Sequence, residues 1–432
     1  MSPSNNRHAP SWYAATCNSA LEFPELKGEH QADICVLGGG FTGVNTAIEL
    51  SQRGYSVILL EANRIGWGAS GRNGGELIRG IGHGLDQFRH QIGDEGVHQL
   101  KLMGIEALEI VKQRIADHDI ACDLTLGYSD LATRPRHMKA LEEDFEELQS
   151  LHYPHALKFV DKAGLKEEVV NSDFYLGGMI DEGSGHLHPL NLVLGEAAVA
   201  QSLGARLYEN SAVTQVIKGD RPQVMTASGR VTCDQLVMAA NGYLPSRLEP
   251  WLGGKILPAG SYIVVTEPLG DEVCRNLMPR NMAVADLRIE LDYYRITADK
   301  RLLFGGLCTY TGKDPKNIAA ALQPNIRKVF PQLGDVRIDY QWGGMLGIGA
   351  NRLPQIGQLP DCPSIYFAQA YAGHGLNASH LAAKVVGEAI SGERDRFNLF
   401  ARVPHMTFPG GDRLRSPLLA TGMLWYKFKD LF

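Results

Sequence analysis

The sequence predicts an α/β fold, in which a parallel-sheet domain assembled from separated segments carries an inserted α+β domain dominated by an antiparallel sheet. Three observations predict it. Asp33–Glu61 reads strand, glycine turn, helix, strand and acid in that order. Strand-to-glycine turns of the same kind return at Asn241-Gly242 and at Gly373-His374-Gly375. Between those two returns lies a β-rich block from Trp251 to Asp339. With 432 residues the chain can hold two domains around a large core.

Ile34–Leu37 is a short apolar run of the kind a strand buried on both faces needs. Gly38, Gly40 and Gly43 fill the G-x-G-x-x-G pattern: a tight turn, a close approach of backbone to a pyrophosphate, and close packing of helix on strand. Phe41, Val44, Ala47 and Ile48 recur at helical spacing from Phe41 to Arg53, and Arg53-Gly54 stops the helix. Ser56–Leu60 is the second strand, and Glu61 sits 18 residues beyond Gly43. A carboxylate there accepts hydrogen bonds from the ribose of an adenine dinucleotide and repels a 2′-phosphate. Gly38, Gly40, Phe41, Thr42, Gly43 and Glu61 are therefore candidate cofactor contacts, with Ala62 and Arg64 beside them.

From Ile65 to Gly75 the chain is rich in Gly, Ala and Ser without a period of two or 3.6. Either this is a long flexible loop, or a backbone-lined channel in which a flat polar ligand lies against main-chain N–H groups. Its place directly after the ribose acid favours the channel, with Gly68, Ala69, Ser70, Asn73, Gly74 and Gly75 along it. Leu85–Leu151 turns helical and charged, with Leu100, Leu102, Ile105, Leu108 and Ile110-Val111 as a buried stripe. Asp173–Asn191 breaks the pattern as a glycine-rich loop entering a helix at Asn191–Leu203. His186 and His188 invite a metal reading, but no further Cys or His at ligand spacing accompanies them, so no metal is expected. Ala212–Thr232 alternates as a small antiparallel meander turning at Asp220-Arg221-Pro222, and Cys233–Ala240 is an apolar strand. Within the β-rich block, Ser261–Thr266, Leu291–Ile296 and Leu302–Gly306 read as strands. Ser364–Ala370 is the last strand, and Leu376 to Ile390 the last long helix.

Composition excludes several classes. The net charge is −6, with no basic stripe to hold nucleic acid. Seven scattered cysteines without a C-x-x-C point to reduced thiols in a cytoplasmic protein. The polar stretch Met1–His30 has no signal-peptide core, and no run is long enough to cross a bilayer. The apolar tail Leu418–Phe432 reads as a packing arm, with contact to a membrane surface as the alternative.

The return of nucleotide-type elements after a whole β-rich domain resembles the FAD-dependent amine and amino-acid oxidases more than a contiguous NAD domain. More specifically, Ile65–Gly75, His186–Leu192, Leu291–Arg295, Arg352–Gly357 and Gly373-His374-Gly375 together resemble the γ-glutamylputrescine oxidoreductase family, within the glycine/sarcosine/D-amino-acid oxidase superfamily. The likeness runs from Trp12-Tyr13-Ala14-Ala15 to Phe408-Pro409-Gly410-Gly411. It implies a Rossmann-like FAD-binding domain made of residues 31–84, 155–250 and 340–395. Residues 85–154 and 251–339 then form the substrate domain, and 1–30 and 396–432 are terminal arms.

It implies non-covalent FAD, a small-molecule amine as substrate and molecular oxygen as electron acceptor. A hydride passes from the carbon bearing a neutral amine to the flavin, and the imine hydrolyses to an aldehyde. Val213, Asn241, Gly242, Arg352, Gly373, His374, Gly375 and Leu376 join the cofactor contacts on this reading. The helix opened by Gly373-His374-Gly375 suits the negative charge that reduction places on the flavin. His374 either meets the flavin, sits in the substrate cavity or is structural. Tyr262, Tyr294, Trp67 and Tyr371 are candidate aromatic walls, each equally at home in a core. Arg288 and Arg352 are candidate cations for a distal carboxylate or the flavin.

Two departures from the superfamily bear on substrate. Leu376-Asn377 stands where sarcosine oxidases place a carboxylate-holding lysine. Gly343–Ala350 has neither the arginine of glycine oxidases nor a cysteine for a flavin thioether. A carboxylate next to the reacting amine would be buried unpaired there, so a primary amine remote from any carboxylate is expected. A dehydrogenase feeding quinone and a flavin-binding subunit without its own substrate remain as alternatives.

Overall fold

Gly28–Leu37 is the strand on which the first sheet is built. The computed structural model describes residues 7–309 and 314–409, so the expected packing arm at 418–432 lies outside the described residues. Val36 pairs in parallel with Leu59 of Val57–Leu60 on one side and with Val237 of Gly229–Met238 on the other. Cys362–Gln369 continues the parallel set beside Gly229–Met238, Gln355–Leu359 closes that edge antiparallel, and Arg206–Tyr208 closes the other. Ile34, Val36, Ile58 and Leu59 are buried, as strands covered on both faces must be. Burying each contributes about 1.5–3 kcal/mol.

The helices Phe41–Gln52, Pro189–Ser202 and Gly375–Ile390 pack together on one face, with Phe41–Gln52 in the middle. The expected meander is present: Gln215–Ile217 pairs with Gln223–Met225, which pairs with Gly229–Met238. Its last arm and the expected apolar strand are one continuous strand, Gly229–Met238.

The second sheet runs Ile338–Ile348, Leu257–Thr266, Leu302–Thr309, Tyr293–Ile296, Ala283–Asp286, Thr125–Ala132, Gly177–His186 and Glu76–Leu77, with Leu157–Asp161 paired to Gly177–His186. Most of its pairings are antiparallel, the exception being Ala283–Asp286 with Thr125–Ala132. The helix Ile318–Val329 covers one face over a core containing Val264, Phe304, Leu322 and Phe330.

The chain differs from its sequence-based reading in three places. Thr125–Ala132 is a strand inside the stretch read as helical, between the helices Arg89–Asp117 and Pro135–Ser150. Gly177–His186 is a central strand rather than a loop. Its glycines serve close packing: a Cβ on Gly178 would lie 2.7 Å from the Asp130 carbonyl oxygen, and one on Gly185 2.2 Å from that of Thr125. Finally, Leu157–Asp161, Gly177–His186 and Ile338–Ile348 belong to the second sheet, although 155–250 and 340–395 are assigned by sequence to the nucleotide domain. Strand pairing, invisible in a single segment's pattern, decides that membership.

Candidate functional site

Gly38 leaves the first strand at φ 115°, where a side chain would press on the Ala239 carbonyl at 2.8 Å. Gly40 is the N-cap of the helix Phe41–Gln52, and a Cβ on Gly43 would fall 1.9 Å from the Gly38 oxygen. The turn therefore admits no side chain, and the first helical amides point outward without intrahelical partners. Phe41 N donates to Ser70 Oγ at 2.9 Å, bringing the glycine-rich loop to this helix end. Glu61 accepts from Gly39 N at 2.7 Å and from Asn63 N at 2.8 Å, so its carboxylate sits at the mouth of the turn. Burial raises its pKa, partly offset by these amide hydrogen bonds. The cluster of Gly38, Gly40, Phe41, Thr42, Gly43, Glu61 and Ser70 expected from sequence is thus brought together.

The far segments converge on it. Thr42 Oγ1 shares a 2.7 Å hydrogen bond with Tyr371 Oη, and Asn241 Oδ1 accepts from Ala370 N at 2.9 Å. Gly242 follows Asn241 in the same short 3-10 turn, and Val213 is buried under the small ladder. Asn73 donates to the carbonyls of Ala69 and Ser70 and accepts from Gly75 N at 2.8 Å, which folds the loop on itself. Gly68 lies against the Tyr243 ring, and a Cβ on Gly74 would be 2.6 Å from the Tyr293 ring.

His374 caps the last long helix ahead of Gly375 and the buried Leu376. Burial, with His83 and Arg79 adding, lowers its pKa to about 3, so the imidazole is neutral. The His83 ring stands edge-on at 4.5 Å, and His374 Nδ1 is buried without a hydrogen-bond partner. Arg352 is in the left-handed region at φ 56°, and its backbone closes over Gly82.

Several expected side chains lie elsewhere. Tyr262 and Tyr294 point to the far face of the second sheet. Tyr262 bonds Thr309 and Asp314, while Tyr294 bonds Tyr175 and stacks on Phe304 at 5.3 Å. Both are core residues. Arg288 is consumed by Asp286 and Asp292, which its guanidinium meets together, and so is not free for a substrate carboxylate. Arg64 pairs with Glu209 at 2.7 Å and Glu22 at 2.8 Å, and Ala62 is exposed. Trp67 carries the Arg72 guanidinium over its ring at 4.3 Å and touches Tyr243 edge-on. His188 caps the helix Pro189–Ser202 by accepting from Asn191 N at 3.1 Å. No group of three or more metal-capable side chains gathers among the described residues.

Sequence reasoning missed Tyr293 and Arg295. The strand Tyr293–Ile296 alternates faces, so Tyr293 and Arg295 look toward the glycine loop while Tyr294 looks away. Arg295 donates to Gly74 O, Leu187 O and Tyr13 Oη at 3.0, 3.0 and 3.2 Å. Period-two alternation within Leu291–Ile296 was the available signal.

These features fit a dinucleotide: a side-chain-free turn at a helix N-terminus, an acid at its mouth, a glycine-rich loop and a neutral imidazole at a second helix N-terminus. Known proteins are similar to this chain over most of its length. The FAD dependent oxidoreductase family matches residues 33–389. The chain is 40% identical to γ-glutamylputrescine oxidoreductase of Escherichia coli (strain K12) over 423 residues, 98% of each chain. It is 38% identical to the probable oxidoreductase OrdL of Haemophilus influenzae, again over 98% of each. Among solved structures, glycine oxidase from Geobacillus kaustophilus superimposes with a TM-score of 0.73 at 20% identity, covering 87% of this chain and 100% of that one. The chain belongs to the FAD dependent oxidoreductase family, as an enzyme that uses FAD, and within that family to the group of the γ-glutamylputrescine oxidoreductases.

Proposed function

We propose that the enzyme oxidises the primary amine end of γ-glutamylputrescine, or of a related γ-glutamylated polyamine, to the aldehyde, with oxygen reduced to hydrogen peroxide. The observation that carries the reading is 40% identity across 98% of both chains to an enzyme named for that substrate. Side-chain chemistry supports it. At 376–377, Leu376 is buried and Asn377 donates to Gly80 O at 2.6 Å, and 343–350 holds no cation. A carboxylate next to the reacting amine would have no counter-ion from either stretch.

FAD bound along the glycine loop supplies the two-electron acceptor for the amine carbon. The turn Gly38–Gly40 would let the pyrophosphate approach the start of the helix, where the Thr42 and Gly43 amides would hold it. Phe41 would lie beside it with its own amide on Ser70 Oγ, and Glu61 would hold the ribose. Ser70 and Asn73 to Gly75 would line the ring system, the Ser70 and Asn73 side chains being held within the loop and on the helix start. Val213, Asn241, Gly242, Arg352 and Gly373–Leu376 would complete the cradle, to which His374 would present a neutral imidazole. Tyr293 and Tyr243 flank the loop. FAD is held without a covalent bond, since 343–350 contains no cysteine.

Anaerobic addition of γ-glutamylputrescine should bleach the visible flavin spectrum, and air should restore it with release of peroxide. Turnover of sarcosine or D-amino acids, with none of any polyamine derivative, would defeat the reading.

A further inference from the structure

Gly74, Glu76 and Ile78 alternate onto one face as the glycine loop runs into the strand Glu76–Leu77. Gly74 lies against the Tyr293 ring, and Ile78 packs against a small cluster of Tyr128, Ala283, Ala285 and Tyr293. Glu76 lies between them. Its Oε1 is buried and has no hydrogen-bond partner, an unusual condition for a carboxylate inside a protein. Its register partner across the strand is His186.

The charged and titratable groups around it are few. Arg295 is the nearby cation, but its donors go to Gly74 O, Leu187 O and Tyr13 Oη, and no carboxylate lies within ion-pair distance of it among the described residues. Asp130 is engaged by Tyr128 Oη and Arg79, and Arg79 also pairs with Asp144 and Asp181. Tyr13, Tyr128 and Tyr293 all feel the Glu76 charge, and His186 is held neutral by burial and by Arg295. Burial pushes the Glu76 carboxyl up to about 8, Arg295 opposing and Asp130 adding. Glu76 is thus a buried carboxyl without an ion-pair partner among the described residues, close enough to Tyr13, Tyr128 and Tyr293 for its charge to act on all three.

We propose that Glu76 receives the substrate's primary alkylammonium group and accepts its proton, so that the amine is neutral when its α-hydrogen leaves. In that step an N–H bond breaks and an O–H bond forms on Glu76, with no electron transferred. The α-hydrogen then departs with its electron pair, both electrons going to FAD, and leaves a C=N bond that water hydrolyses. The assignment rests on the reading of the substrate as an amine.

Glu76→Gln keeps shape and removes the proton acceptor. Between pH 8 and 9, where a carboxyl raised to about 8 is ionised and the amine is still cationic, its kcat/KM for γ-glutamylputrescine should fall about 100-fold. The deficit should shrink as pH rises toward the amine's own pKa of about 10, where solution supplies the neutral form. Glu76→Asp, which retains a carboxylate, should fall between the two. As a readout independent of turnover, tert-butylamine, which has no hydrogen on the reacting carbon, can be titrated calorimetrically. Near pH 9, where the carboxylate is ionised and the ligand still cationic, Glu76→Gln should bind it about tenfold more weakly. Equal kcat/KM profiles and equal affinities for wild type and Glu76→Gln would overturn the assignment, and so would loss of FAD from both variants, which would make Glu76 structural. Wild-type flavin that no amine reduces would instead overturn the proposed function itself.

Discussion

Arg295 donates through Nε to the carbonyl oxygen of Gly74 at 3.0 Å, across 221 residues of chain. Through Nη2 it also reaches Leu187 O and Tyr13 Oη, so one buried guanidinium ties the second sheet to the cofactor loop and the N-terminal arm. Arg295→Ala leaves these acceptors without a donor, at about 1–3 kcal/mol each where they stay buried. The melting temperature should drop and purified protein should carry less FAD. Unchanged melting and flavin content would refute the tie.

Gly43→Ala should give protein without FAD. The added Cβ would stand 1.9 Å from the Gly38 oxygen, and only displacement of the helix Phe41–Gln52 from the first strand relieves it. Flavin content per chain, read from the visible spectrum, checks this. A fully loaded variant would show that the turn tolerates a side chain.

Adjacent tyrosines should separate by role. Tyr294→Phe loses the 3.1 Å hydrogen bond to Tyr175 and should cost about 1 kcal/mol of stability while kcat/KM holds. Tyr293→Ala opens a gap against Gly74 and should lower kcat/KM about tenfold. The reverse assignment of effects would mean that the strand's faces are exchanged.

Arg72, unlike Arg288, is not consumed by acidic side chains among the described residues and is a cation to test against a distal carboxylate of the proposed substrate. It donates to Trp67 O at 2.7 Å, and among the described residues no carboxylate lies within ion-pair distance. We expect Arg72→Ala to raise KM for γ-glutamylputrescine about tenfold, near 1.4 kcal/mol, and to leave KM for free putrescine unmoved. Equal effects on both amines would remove Arg72 from this role.

Acid should destabilise the fold. His186, His188 and His374 are each lowered to about 3 by burial, with nearby cations adding. Unfolded, they bind protons from about pH 6.5 downward. Their neutral packing is therefore fully favourable above that pH and is lost as pH falls toward 3, at about 1.4 kcal/mol per unit for each. Glu76, raised to about 8, works oppositely between about 4.5 and 8, and Glu61, Asp130 and Asp292, also raised by burial, work the same way, but His8, His83 and His405 are lowered too and the histidines dominate below pH 6.5. Thermal melts should fall between pH 7 and 5, and a flat profile would contradict the assignment.

The nucleotide turn was legible because its chemistry is local: Gly38, Gly40, Gly43 and Glu61 lie within one strand-helix-strand unit. Gly373-His374-Gly375 and Asn241-Gly242 were legible as strand-to-glycine turns. Tyr293 was not, because two successive tyrosines say nothing about which faces inward until the strand is paired. Arg288 looked available because its consumers, Asp286 and Asp292, are ordinary in sequence and meaningful only once the hairpin folds. Gly177–His186 looked like a loop because glycines demanded by close strand packing are compositionally identical to glycines in turns.

The first strand, Gly28–Leu37, finds one neighbour in Gly229–Met238, which in turn awaits Cys362–Gln369. During synthesis the ribosome must therefore release most of the polypeptide before that edge is covered and the helix Gly375–Ile390 can dock. Until then the nascent protein exposes unpaired backbone that invites chaperones. Loading of the yellow prosthetic group should accordingly follow release, and C-terminal truncations ending before Gly375 should accumulate as colourless, aggregation-prone chains.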